Sequence, residues 1–546
     1  MRYAACCVRR LSLPLLSFLL LACCFAWMGF RCDGPTKPSE LAQPRPTGDL
    51  RLVVLTDPKG YLEPCGCQMR PLGGVAKLAT EIGKARQGKA PLLALAAGDL
   101  AFGSVLRAED EEGARQQEAW RAETLVDVWN SLGLAAVTPG PSDLGQPAGV
   151  ADGLIARSKF PWLVENLSGP ATRAFARARV VDVGGVKVGL LGLVAQSPTL
   201  RLPADMQLDP QLSEITRKTS EALRAQGARL VVALVSGDRK AAREIAEAGA
   251  DVVVLGGIDQ EKPLAPAVVD GKGIVINAGY QGQRMVTLDL ELDAQGGWHD
   301  ASEWTLREGQ NDLAGDVAEL RQKIDSWSKD PKIKASDLDT QRARLAALER
   351  ELKARSAPSY TGRWFAAEVS ELSPEVKDTP AIAEQIDAYD RRVNDHNRVS
   401  LADRKPQPAP EGSAHYAGSE SCQGCHAEAY AWWKNTKHGR AYATLENVHK
   451  EFNLSCVGCH VTGYNQPGGS TVTHVDGLKD VGCENCHGPG SLHNASPEKP
   501  GLVVRDTPEA VCVGCHNHEH SDRFVYQAFK PLLMAPGHGL PKVKAN

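Results

Sequence analysis

In the first half of the chain, apolar residues fall into short continuous runs separated by amphipathic stretches. Runs at 52–55, 92–97, 135–137, 186–193, 230–235, 252–255 and 274–276 have the length and bounded character of buried strands. Between several of them apolar positions recur every three or four residues, which predicts helices over 73–86, 212–226 and 239–248. Strands alternating with helices predict an α/β layered sandwich over residues 49–305. The period then changes. Leu313, Val317, Leu320, Ile324 and Trp327 repeat in steps of four and three, and Leu338, Leu345, Leu348 and Leu352 follow after Lys329-Asp330-Pro331. This predicts an antiparallel helical hairpin, followed by a third helix opened by Thr379-Pro380 and ending near residue 394. Residues 306–403 thus read as a helical spacer, and 404–413, with Pro406, Pro408 and Pro410, as an extended linker. A final segment, 414–546, is left.

The amino terminus has a different pattern. Arg9-Arg10 precede an uncharged, mostly apolar run from 11 to 30, so residues 1–32 read either as an export signal or as an uncleaved membrane anchor. Leu20-Leu21-Ala22-Cys23 also resembles a bacterial lipobox, which makes a lipid anchor on Cys23 a third reading. Each reading places the rest of the chain outside the cytoplasm. A net charge of −4 over 546 residues, with no basic tract, speaks against a nucleic-acid partner. Of 15 cysteines, five lie in the leader, two are Cys65 and Cys67, and the remaining eight are all in the last segment. Cys65-Gly66-Cys67 reads equally as a redox dithiol, a soft-metal pair or a structural feature.

Those eight cysteines form four Cys-Xaa-Xaa-Cys-His motifs: Cys422/Cys425/His426, Cys456/Cys459/His460, Cys483/Cys486/His487 and Cys512/Cys515/His516. Two thiols at this spacing reach the two vinyl groups of one haem, and the next residue's imidazole takes one axial position on its iron. Paired CxxC motifs also suit two four-sulfur zinc sites, but zinc does not call for a histidine after every second cysteine. With 14 histidines in 546 residues, four such coincidences favour four c-type haems. Twelve of the 14 follow Ala414. So short a segment carries too little apolar side chain for an ordinary core, so the porphyrins are expected to form its interior. Attachment of haem to this motif takes place outside the bacterial cytoplasm, in agreement with the leader.

Two resemblances extend the reading. Tyr416-Ala417-Gly418-Ser419, Tyr430, Trp433, Lys437-His438, Ala441 and Cys486-His487-Gly488-Pro489-Gly490 with His493 resemble the tetrahaem cytochromes of the cytochrome c-554 family, found in nitrifying bacteria. The resemblance implies a mainly α, irregular tetrahaem domain in which His438 and His493 are distal ligands, with His538 and His520 as further candidates. It implies electron transfer with periplasmic or membrane redox proteins. It also leaves an alternative, since that family includes a five-coordinate haem: an oxidoreductase acting on a small nitrogen compound. Leu62-Glu63-Pro64, Ala97-Gly98-Asp99, Gly140-Pro141-Ser142-Asp143 and Gly256-Gly257 resemble the calcineurin-like metallophosphoesterases, in particular their 5′-nucleotidase branch. That family holds two metal ions through Asp, Asn and His. Here Asp57-Pro58-Lys59 stands for Asp-Xaa-His and Gly140-Pro141-Ser142-Asp143 for Gly-Asn-His-Asp, and no histidine precedes His299. Asp57, Asp99 and Asp143 remain as a degenerate site, and phosphoester hydrolysis becomes the third functional alternative.

Overall fold

The computed structural model describes residues 48–540, apart from 65–69, 108–111, 148, 173, 294–295, 330–332, 355–362, 518–520, 522–523 and 537. The leader, Cys65-Gly66-Cys67 and His520 lie outside the described residues. Among those described, no helix is long and apolar enough to cross a membrane.

Two six-stranded sheets stack face to face. The first is built around β1 (Leu50–Thr56), β2 (Leu92–Gly98) and β3 (Leu134–Pro139), which run parallel. The strand Arg284–Glu291 joins β1 antiparallel. The second sheet places Gly273–Asn277, Val252–Gly256, Leu230–Ser236 and Val186–Val194 side by side in parallel, with an antiparallel strand at each edge. Strand alternation decides the layering. Leu52 and Val54 of β1 point between the sheets, toward Val188, Leu190, Val232 and Val254. Val53 and Leu55 point the other way, into a core shared with α1 (Val75–Arg86) and α2 (Glu112–Leu132). Helices Leu212–Ala225 and Arg239–Glu247 cover the outer face of the second sheet. The result is the expected layered sandwich.

The expected spacer divides differently. Helices Glu303–Ser328 and Ala335–Ala354 do form a hairpin, with Val317 and Leu320 buried and Arg321 paired to Glu349. Residues 364–400, however, belong to the α/β domain. Trp364–Glu371 pairs antiparallel with Arg284–Glu291, adding a strand to the first sheet. The helix Pro380–Ser400 then buries Ile382, Ile386, Tyr389 and Val393 against the α1 and α2 layer. The α/β domain is completed by chain that returns to it after the hairpin, so its boundary lies near 400 rather than at 305.

The last segment has short helices, such as Ala427–Lys434 and Cys483–His487, and much irregular backbone. Its buried apolar cluster is small: Tyr442, Val457, Val461, Val472 and Val475. Residues 47–546 form one compact unit.

Candidate haem centres

Each CxxCH motif is wound so that the histidine amide bonds back to the chain near the first cysteine, as in His426 N to Cys422 O at 2.9 Å and His516 N to Cys512 O at 2.8 Å. The turn presents both thiols and the imidazole on one side. The Nδ1 atom of His460 donates to Ala441 O at 2.6 Å, and that of His487 to Val504 O at 2.5 Å. A carbonyl only accepts, so these bonds fix the tautomer and leave Nε2 as the ligand atom. His516 Nδ1 lies 3.1 Å from Ser521 Oγ, and Phe524 stacks on its ring at 4.5 Å.

Cys425 departs from the expected arrangement. The porphyrins are expected to form the interior of this segment, yet Cys425 is exposed, whereas the other seven motif cysteines are partly buried. The cause is local. Residues 423–428 all lie at the surface, and a Cβ added to Gly424 would meet only open space. The second thiol of the first motif therefore stands at the rim of the domain, not in its interior, and a haem held there presents its Cys425 edge to solvent.

Three proximal rings face a second imidazole. His426 and His493 have centroids 6.4 Å apart with planes at 28°, His438 and His516 are 6.0 Å apart at 55°, and His487 and His538 are 6.0 Å apart at 82°. Two imidazoles bound on opposite sides of one metal ion, at about 2 Å each, have centroids about 6 Å apart. The three pairs therefore fit an iron between them. His538 is further fixed by Nδ1 donating to Leu533 O at 2.7 Å and by stacking on Trp432. Burial, and then the facing His516, hold His438 below the usual histidine range, which favours the neutral ring a metal needs. His460 is different: among the described residues no second histidine ring pairs with it. His474 has its Nδ1 3.1 Å from Thr473 Oγ1 instead.

Thiol contacts connect the motifs in space. Cys422 of the first bonds to Cys483 of the third, and Cys515 of the fourth to Cys459 of the second. Cys486 of the third lies close enough to Cys512 of the fourth for their charges to interact. The spatial order is first, third, fourth, second. Apolar side chains at Val504, Val511, Val513, Val525, Leu532 and Met534 stand exposed around the last motif. Neither the ring-orienting carbonyls nor Phe524 was foreseen in the sequence. A backbone carbonyl has no residue signature, and a lone Phe has no pattern.

The degenerate site of the α/β domain lies at the carboxyl ends of its strands, where α/β sheets commonly place ligands. Its three acids are brought together, but their oxygens are engaged. Asp57, fully buried, accepts from Asp99 N at 3.1 Å and from Gly257 N at 2.8 Å. Asp99 accepts from Ser142 N at 2.7 Å and Ser142 Oγ at 2.9 Å. Asp143 accepts from Leu100 N at 2.7 Å, Ala101 N at 2.9 Å and Phe102 N at 3.2 Å. A Cβ on Gly98 would lie 2.0 Å from Asp57 Oδ1, so only glycine fits there. Burial, with Asp99 adding to it, pushes Asp57 up to about 7 and Asp143 up to about 8; burial raises Asp99 as well. These carboxyls serve as acceptors for backbone amides rather than as an open ligand set.

Comparison with known proteins agrees with both halves. The sequence family described as "Cytochrome c554 and c-prime" matches residues 421–488, which contain three of the four motifs. Cytochrome c-554 of Nitrosomonas europaea is 36% identical over 142 residues, covering 20% of this chain and 60% of that cytochrome. Snake venom 5′-nucleotidase of Gloydius brevicauda is 28% identical over 197 residues, covering 34% of this chain and 31% of the nucleotidase. The chain thus spans less than two thirds of either relative. Among solved structures, a 5′-nucleotidase precursor from Thermus thermophilus aligns with a TM-score of 0.44 at 18% identity, over 66% of this chain and 61% of the other. The chain joins an α/β domain that resembles 5′-nucleotidases to a carboxy-terminal domain that resembles the c-554 cytochromes.

Proposed function

We propose that this chain is an exported tetrahaem c-type cytochrome that relays electrons between periplasmic or membrane redox proteins, with the phosphoesterase-like domain as its scaffold. The observation that carries this reading is the set of three facing histidine pairs, each at the span of one iron. The eight motif cysteines tether the porphyrins. His426 with His493, His487 with His538 and His516 with His438 hold the irons of haems 1, 3 and 4, and His460 holds that of haem 2. When bound, the haems supply closely spaced one-electron centres. The polypeptide fixes their order through the adjoining cysteines, and covers their faces with the apolar side chains that now stand exposed around the last motif. The exposed Cys425 marks haem 1 as the end of the row open to a redox partner. With imidazole on both sides, haems 1, 3 and 4 lie at lower potential than a His/Met centre would. The leader and the extracytoplasmic attachment of haem to CxxCH both support export, with a membrane or lipid anchor as the finer version of the proposal.

His460, unopposed by a histidine ring among the described residues, favours a second reading in which haem 2 binds a small nitrogen compound. Phosphoester hydrolysis has no such support, because backbone amides already occupy the acids it would need. Haem quantitation with spin-state spectroscopy on the exported protein tests the proposal. It predicts four haems per chain, three low-spin and one high-spin, with the high-spin signal shifting on addition of nitric oxide or cyanide if the second reading also holds. Colourless protein, or zinc in place of haem, overturns the proposal. A wholly low-spin spectrum removes the second reading.

A further inference from the structure

The segment leading into the second motif is seated on the α/β domain. The equivalent segments of the other motifs bond within their own domain: Ala417 and Gly418 amides to Glu484, Cys483 N to Ser419 Oγ, and Thr507 Oγ1 to Cys486 O. Residues 450–455 instead meet α2 and the helix Pro380–Ser400. At the centre is Gln117 of α2, 2% exposed. Its Nε2 donates to Asn453 Oδ1 at 2.9 Å and to Ser455 Oγ at 3.1 Å. Its Oε1 accepts from Leu454 N at 3.1 Å and Asn397 Nδ2 at 3.3 Å. All four hydrogen-bonding positions of the amide are used, which only one orientation of the side chain allows. Around it, Asn397 donates to Phe452 O at 2.9 Å, and Asn394 both accepts from Phe452 N and donates to Glu451 Oε1 at 3.0 Å. Lys450 pairs with Glu63 and lies 3.3 Å from Asp390. Cys456 is the next residue after Ser455.

From this network we infer that Gln117 is a positioning residue for haem 2. The α/β domain forms one half of the seat that sets where Cys456 and His460 present the porphyrin. The inference rests on the tetrahaem reading above. A buried amide network fixes position more strictly than apolar contact, because each group has a single partner geometry and a costly alternative. The α/β domain would then tune one haem of the four and leave the others to their own domain.

Gln117→Leu keeps the side chain's bulk and removes all four bonds. In full-length exported holoprotein it is expected to retain four haems, shift the high-spin haem 2 signal and its midpoint in a redox titration, and leave the three low-spin signals unmoved. Ser455→Ala, which removes a single bond, should move the same signal less, and carries the test if the leucine variant fails to accumulate. Val126→Ala, a cavity in the α2 core away from the network, is the control for general loosening: it should lower the melting temperature without moving any haem signal. The inference is overturned if Gln117→Leu and Ser455→Ala leave the haem 2 signal unchanged, or if Val126→Ala moves it equally. A wild-type haem count other than four would instead overturn the tetrahaem reading, before any variant is compared.

Discussion

Replacing His493 with alanine should convert one haem from low spin to high spin and leave the protein folded. His493 sits on the five-residue helix Ser491–Ala495, with its ring 6.4 Å from that of His426. The helix buries no residue, and its neighbour Asn494 is tied to Ser421 Oγ at 2.9 Å, so the substitution disturbs little packing. Surface changes of this kind alter stability by about 0.5 kcal/mol or less. The expected spectroscopic effect is far larger. Wild type has one unopposed proximal histidine in four, His460; the variant has two in four, so the high-spin share per chain doubles at constant haem content. The facing rings are inclined at 28°, 55° and 82° in the three pairs, so the three low-spin signals should be distinguishable, and the one lost should belong to the most nearly parallel pair. His493→Met should instead keep a sixth ligand and raise the potential of haem 1, as thioether ligation does. Electron paramagnetic resonance integrated against total haem measures the share, and a redox titration the potential. A His493→Ala protein with four haems and an unchanged high-spin share would refute the assignment of His493, and with it the use of ring spacing to identify the axial pairs.

Other outcomes follow from the same structure. Removing Cys512 and Cys515 together should lower covalent haem from four to three per chain, read as absorbance of the alkaline pyridine complex. Asp143→Ala orphans the buried amides of Leu100, Ala101 and Phe102 and should cost about 3–5 kcal/mol at roughly 1–3 kcal/mol per unsatisfied group, while Asp143→Asn, which keeps an acceptor, should cost less; urea unfolding decides. Asp57 and Asp143 keep their protons to about 7 and about 8 in the folded chain, whereas an unfolded chain releases them near 4. Between those values the native state binds more protons, so their contribution is full below about pH 4 and is lost as pH rises through 7 to 8; the melting temperature should fall over that window, and Asp57→Asn should flatten the slope. Nucleotide hydrolysis should stay at background when divalent metal is added, and metal-dependent turnover would restore the α/β domain as an enzyme.

Much of this architecture could be read from the sequence, for identifiable reasons. Buried parallel strands leave continuous apolar runs, so the expected strand at 230–235 matches the observed Leu230–Ser236 closely, and that at 252–255 matches Val252–Gly256. The proximal ligands are equally plain, because covalent attachment demands fixed residue types at fixed spacing. Spacing does not record depth, however, so nothing in the first motif foretold that Cys425 would stand at the surface while Cys422, three residues earlier, is partly buried. The strand Trp364–Glu371 left no mark at all. Only some of its residues are buried, and its place is set by pairing with Arg284–Glu291 across the intervening hairpin, which no local period records. The distal histidines are intermediate. Their abundance after residue 414 indicates that some serve, but which ring faces which depends on the path of an irregular chain. Gln117 lay wholly outside local reasoning, since a glutamine on an amphipathic helix ordinarily faces solvent.

The acid cluster shows why a phosphoesterase-like fold can remain well formed without its metal ligands. Three carboxyls buried at one end of a sheet would repel each other strongly if ionised and unpaired. In the family this end resembles, two metal ions supply the opposing charge. Here backbone amides from Leu100, Ala101, Phe102, Ser142 and Gly257 take that place, with Ser142 Oγ donating where the resemblance expects a histidine. The raised pKa values indicate that this compensation is incomplete and that protonation supplies part of the rest. The compensation also has a structural yield. Asp57 and Lys59, both with positive φ, begin the loop that reaches Glu63, and Glu63 pairs with Lys450 at the edge of the haem 2 seat. The end of the sheet that would have carried catalysis is thus rebuilt as a rigid support, and the segment it supports leads directly into the haem-binding turn at Cys456.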